Sequence, residues 1–171
     1  MLGDLQRLIT RELESFQREI ELFPDDESVW QTAPGVANSA GNLAMHVCGG
    51  LQHFLGAVLG GTGYVRDREA EFGRRHGSRA DIAAELKTTI GVVESVLSGP
   101  AERWIGKPFP VALYDLHVRT EIFLLHLATH AAFHLGQAGY LRRLLFEDAR
   151  STGPLALTAL VDPPATASST A

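Results

Sequence analysis

Between Phe123 and Leu145 the chain reads FLLHLATHAAFHLGQAGYLRRLL. The run has no proline, is rich in leucine and alanine, and keeps an apolar rhythm longer than a strand can, so it predicts a long helix. His126, His130 and His134 stand four apart within it. At about 100° of rotation per residue they fall in an arc of about 80°, on the side that also carries Phe123, Leu127, Gln137, Leu141 and Leu144. Imidazoles therefore occupy inward-facing positions. Two histidines four apart are separated by about 6 Å along the axis and can converge on one ion, whereas the outer pair, about 12 Å apart, cannot easily share it. At most two of the three can ligate, and a metal site needs a further ligand from elsewhere in the chain. Without one, these are hydrogen-bonded core side chains.

The preceding segments also read as helices. Leu2, Leu5, Leu8, Ile9, Leu13, Phe16 and Ile20 recur at helical spacing up to Phe23-Pro24. A polar loop over 25–37 follows, with Trp30 expected to pack on the helix ends, and Asn38 or Ser39 is placed to cap a second helix from Gly41 to Gly60. That helix carries His46 and His53, and Asn42, His46, Gly49, Gly50 and His53 share one small, polar side. Glycine inside a helix costs about 1 kcal/mol relative to alanine, so a glycine pair beside a histidine points to space needed by another helix or a ligand. Cys48 lies about 160° from His46 and cannot join it on an ion. Residues 61–79, GTGYVRDREAEFGRRHGSR, read as a long ordered loop. The part from Tyr64 to Phe72 is expected at the mouth of a metal cleft, with Arg66 or Arg68 bracing the loop through acidic partners or meeting an anionic ligand. Ser78 then caps a third helix with Ile82, Leu86, Ile90, Val93 and Leu97 as its stripe, and a proline-containing crossover leads to the long fourth helix.

Four long helical segments predict an all-α four-helix bundle with long crossover loops, formed by one domain over 1–150. Residues 151–171, ending PPATASSTA, read as a partly disordered C-terminal extension. A net charge of -5 leaves no cationic surplus for nucleic acid. No stretch approaches the ~20 apolar residues of a membrane span, and one cysteine with no apolar leader points to the cytoplasm.

His46 together with His130 and His134 would supply three neutral imidazoles and an open fourth position, which is the composition of a catalytic zinc site; nickel suits the same donors. NLAMH in the second helix and THAAFHLGQ in the fourth resemble the DinB/YfiT-like superfamily of four-helix-bundle metalloproteins, in which one histidine on helix two joins His-x3-His followed by Gly-Gln on helix four. The loop run YVRDREAEF resembles an uncharacterised bacterial branch of that superfamily. The resemblance spans about Asn42–Arg143. It implies His46, His130 and His134 as the ligands of one divalent ion, with Asn42, His53, His126, Gln137, Arg66 and Arg68 as candidate pocket residues. The amide that this branch is expected to carry after the helix-two histidine is replaced here by Gly49-Gly50. The implied activity is transfer of a low-molecular-weight thiol to an electrophilic substrate, or hydrolysis; a noncatalytic metal-binding protein is the alternative. No side chain reads as an evident general base, so the nucleophile is expected to be the group on the ion.

A homodimer is expected from the far side of the fourth helix. Ala128, Ala132, Leu135 and Gly139, with Leu124 and Leu125 beside them, make that side apolar as well and give a second copy a close approach.

Overall fold

The computed structural model describes residues 1–100, 103–112, 115–152 and 157–160, and these are helical with no strand among them. Helix α1 (Leu2–Glu21) buries Leu2, Leu5, Ile9, Leu13, Phe16 and Ile20. Each such side chain contributes about 1.5–3 kcal/mol by leaving water, so packing rather than intrinsic propensity holds α1 in place. A single 3₁₀ turn at Ser28–Trp30 follows. There the buried Trp30 indole donates to the Gly77 carbonyl at 2.8 Å and fills the space that a side chain at Gly41 would occupy.

Helix α2 (Ala40–Leu51) starts at Ser39, whose hydroxyl accepts the Asn42 N–H while the Asn42 side chain accepts the Ser39 N–H. The sequence predicts one regular helix to Gly60, but over Gln52–Leu59 the structure widens to π-helical turns. This stretch packs closely on a later helix, α4 (Arg79–Leu97). Gln52 donates to Glu85 Oε1 at 2.6 Å and to Thr89 Oγ1 at 3.1 Å. Gly56 and Gly60 bring the backbone so near that an added Cβ would lie 3.1 Å from Val92 and 2.7 Å from Val96.

Residues 61–79 are not all loop. Arg68–Gly73 form the short helix α3, capped by Asp67, whose carboxylate accepts the Ala70 N–H at 2.9 Å. Helix α4 (Arg79–Leu97) begins with a capping box between Ser78 and Asp81 and buries Ile82, Leu86, Val93 and Leu97, with Ile90 half-buried. In the crossover, Phe109 N–H donates to the Val118 carbonyl at 2.8 Å and Thr120 N–H to the Lys107 carbonyl at 2.9 Å, so the chain folds back before α5 (Thr120–Phe146).

Helix α1 packs on α4 and α5, and α2 packs on the same two, around one continuous apolar core. The side of α5 from which a second copy is expected is partly occupied by this arrangement. Leu124, Ala128, Leu135 and Gly139 are buried within the chain, and Glu19 of α1 lies against Gly139. Of the same side, Ala132 is half-buried and Leu125 is exposed, as is Leu144, counted with the histidine side. No helix among the described residues is long and apolar enough to cross a membrane. Of the C-terminal extension, Ser151, Thr152 and a 3₁₀ turn at Leu157–Leu160 are described; the expected disorder of its final residues falls outside the described part.

Candidate metal centre

Helices α2 and α5 face each other where His46 meets His130 and His134. One ring nitrogen from each lies within 4.8 Å of the others. His130 Nε2 is 3.0 Å from His134 Nε2 and 3.3 Å from His46 Nε2. Nitrogens on a tetrahedral ion with bonds of 2.0–2.1 Å stand about 3.3 Å apart, so the spacing suits a shared ion.

Proton placement gives the same answer. Glu71 Oε2 lies 2.9 Å from His46 Nδ1, and Gln137 Oε1 lies 2.8 Å from His134 Nδ1. A carboxylate accepts, so the closer contact on His46 Nδ1, that with Glu71, places the hydrogen there although the Arg66 Nη2 donor lies 3.2 Å from the same atom. With the Gln137 oxygen at His134 Nδ1, the neutral tautomers that fit turn the Nε2 lone pairs of both rings toward His130. Those lone pairs point at His130 Nε2, which has at most one proton to offer. Three imidazole nitrogens in this state are satisfied together by a cation. Burial, followed by the repulsion that His134, His46, His126 and Arg66 offer to an added proton, pushes His130 down to about 4. Burial also lowers His134. Both rings are thus neutral at neutral pH, as ligation requires.

Glu71 was not legible as a site residue, yet it is buried at the back of the centre. Burial pushes its carboxyl up, but hydrogen bonds from His46 and Arg66 and the Arg66 charge outweigh this and hold it below the usual range. Arg66 grips it with two bonds, Nε to Oε1 at 2.7 Å and Nη2 to Oε2 at 2.8 Å. Arg66 therefore takes the bracing role anticipated for the loop. The space foreseen beside His46 is real: a Cβ on Gly49 would collide with the Glu71 carboxylate. A glycine facing an acidic loop was the available signal, but Asp67, Glu69 and Glu71 compete in it, and only the turn of α3 selects the last.

The other candidates separate by position. His126 lies on the wall of a cavity of about 490 Å³ beside His46 and His130, outside the ligand group, with its ring stacked on Phe123. Arg66 and Arg68 line the same cavity. Asn42 lies behind the site, where its amide donates to the carbonyls of Glu71 and Arg74, both at 2.9 Å. Gln137 orients His134 and borders a second cavity toward residues 35–38. His53 packs on Phe54, and its Nδ1 is buried with no hydrogen-bond partner among the described residues. Cys48 is buried and pushed up to about 12 by that burial, so it is an inert thiol.

The carboxylate behind His46 gives a direct expectation. Removing such a partner weakens metal affinity by about 10–100-fold, and Glu71→Gln should do so at unchanged helix content, as read by competition with a coloured chelator. Gly49→Ala, which displaces the same carboxylate, should shift affinity in the same direction. Unchanged affinity in both would reduce Glu71 to a loop fastener.

Compared with protein-family models, curated proteins and solved structures, the chain matches none.

Proposed function

We propose that the chain is a divalent-metal-dependent enzyme of the DinB/YfiT-like type, a four-helix bundle that binds one zinc or nickel ion through His46, His130 and His134 and activates a low-molecular-weight thiol for transfer to an electrophile. The observation that carries this reading is the convergence of three imidazole nitrogens, two of whose rings meet an acceptor at Nδ1, at the edge of a cavity of about 490 Å³. Three protein ligands leave a coordination position open, the arrangement of catalytic rather than structural sites. A divalent ion held there supplies a Lewis acid that brings the pKa of a coordinated thiol toward neutrality.

The remaining contributions come from side chains. Glu71 and Gln137 fix ring orientation, Arg66 keeps Glu71 ionised, and Phe54 and Phe123, with centroids 4.9 Å apart, wall the cavity with apolar surface. The thiolate itself is the nucleophile, so the site needs no strong protein base.

Cobalt(II) loading tests the reading. A small thiol such as cysteine should add a saturable sulfur-to-cobalt charge-transfer band to the spectrum, and serine at the same concentration should not. A cobalt-loaded protein whose spectrum ignores thiols would overturn thiol activation, and a protein that takes up no cobalt would overturn the metal site.

A further inference from the structure

The cavity beside the histidines combines two properties that seldom coincide. Phe54, Val118, Ile122, Phe123 and Leu127 make its walls apolar. Two apolar side chains on it remain open to solvent, Ile122 at 46% and Leu116 at 63% exposure, where a ligand would cover them. Its charged and titratable lining is entirely of one kind: two arginines and three histidines, with no carboxylate among the described lining residues.

The two arginines are not equivalent. Nε and Nη2 of Arg66 are both engaged by Glu71, whose negative charge offsets it. Arg68 instead is exposed and lies over the Phe72 ring, its guanidinium carbon 5.5 Å from the centroid, with no ion pair to a carboxylate among the described residues. An uncompensated guanidinium thus sits on an apolar cleft whose inner end is the imidazole cluster. A guanidinium fork matches a carboxylate or sulfonate, and the walls away from it and from the histidines are hydrocarbon.

From this we propose that the cleft binds a medium-sized organic monoanion with an aryl or alkyl body, its acidic group on Arg68 and its body against Phe54, Ile122 and Phe123. Sugars and nucleosides would bury unpaired hydroxyls there, and an amine would meet like charge. The role of this anion as the electrophilic co-substrate rests on the thiol-activation reading; its binding does not.

Calorimetric titration of octanoate into the full chain, zinc-loaded and zinc-free, is the test. Octanoate should bind both forms, and 1-octanol and octylamine should bind at least about tenfold more weakly, because a charge-assisted bond to Arg68 is lost or reversed. Arg68→Gln should weaken octanoate by about tenfold and leave octanol and zinc content unmoved. Ile122→Glu, at an exposed position that tolerates the change, should abolish octanoate binding by setting a carboxylate in the cleft. Octanoate binding that ignores both substitutions, that octanol equals, or that requires zinc and not Arg68 would overturn the inference. Arg68-dependent octanoate binding in a chain that takes up no zinc would sink the metal reading and leave this one standing; zinc uptake without octanoate binding would do the reverse.

Discussion

His130→Ala will leave a folded protein that no longer retains a divalent ion through dialysis. His130 is central to the cluster, since its Nε2 lies within 3.0 and 3.3 Å of the other two ligating nitrogens. Without it His46 and His134 remain as a two-ligand site. Loss of one of three protein ligands should weaken binding on the order of 100-fold or more. The fold has little to lose, because His130 is half-buried on the wall of an existing cavity and such positions change stability by about 1 kcal/mol or less. His46→Ala and His134→Ala should also lose the ion, and His126→Ala, outside the ligand group, should keep it. Elemental analysis of the dialysed proteins decides the matter. Full occupancy in His130→Ala would refute the assignment.

Arg142→Ala should be among the most destabilising single changes in the chain, by about 3–5 kcal/mol. Arg142 is fully buried at the C-terminal end of α5. Its Nε donates to Glu19 Oε1 at 2.6 Å, its Nη1 to Asp148 Oδ2 at 2.7 Å, and its Nη2 to the Arg150 carbonyl. One guanidinium therefore ties α1 to the segment leaving α5. Truncation strands the Glu19 carboxylate, itself 1% exposed, without a cation, and an uncompensated buried charge is the larger part of the loss. Two corollaries separate this from simple loss of packing. Arg142→Met keeps most of the volume and should be nearly as damaging, while Arg142→Met combined with Glu19→Leu should recover most of the stability, because it removes both charges. Urea unfolding of the metal-free protein measures all three without a contribution from ion binding. A loss under about 1 kcal/mol for Arg142→Ala would show that water reaches the pair.

The sequence carries the long helices plainly because their signals are local. Ser39 with Asn42 and Ser78 with Asp81 mark two helix starts within four residues each, and the apolar spacing of α1 and α4 recurs within single turns. The three-histidine group was legible for the same reason: a four-residue spacing on one helix brings two of its members together, and the inward phase of His46 on the other helix suggests the third. What escaped depends on which surfaces meet. Arg142 and Arg143 are adjacent and look alike in the sequence, and only the position of Glu19, 123 residues away in the chain, makes one a core group. A helix wheel likewise cannot show that α1 lies against Gly139 on the far side of α5. The π-helical turns at Gln52–Leu59 leave the apolar pattern intact and follow from contacts with α4. Glu71 required knowing how a six-residue helix turns.

The attachment of that short helix has a consequence for how such a molecule can change over time. Residues 64–74 hang from α2 at separate points: the Asn42 amide holds the carbonyls of Glu71 and Arg74, and the Glu71 carboxylate holds His46. The same few residues present Arg68 to the cleft. A mutation that shifts the backbone of this segment moves Arg68 and the carboxylate behind His46 together, whereas one confined to the Arg68 side chain leaves His46 in place. On such an attachment the side chain at position 68 can vary by itself, while an insertion or deletion between Asp67 and Arg74 reaches His46 as well.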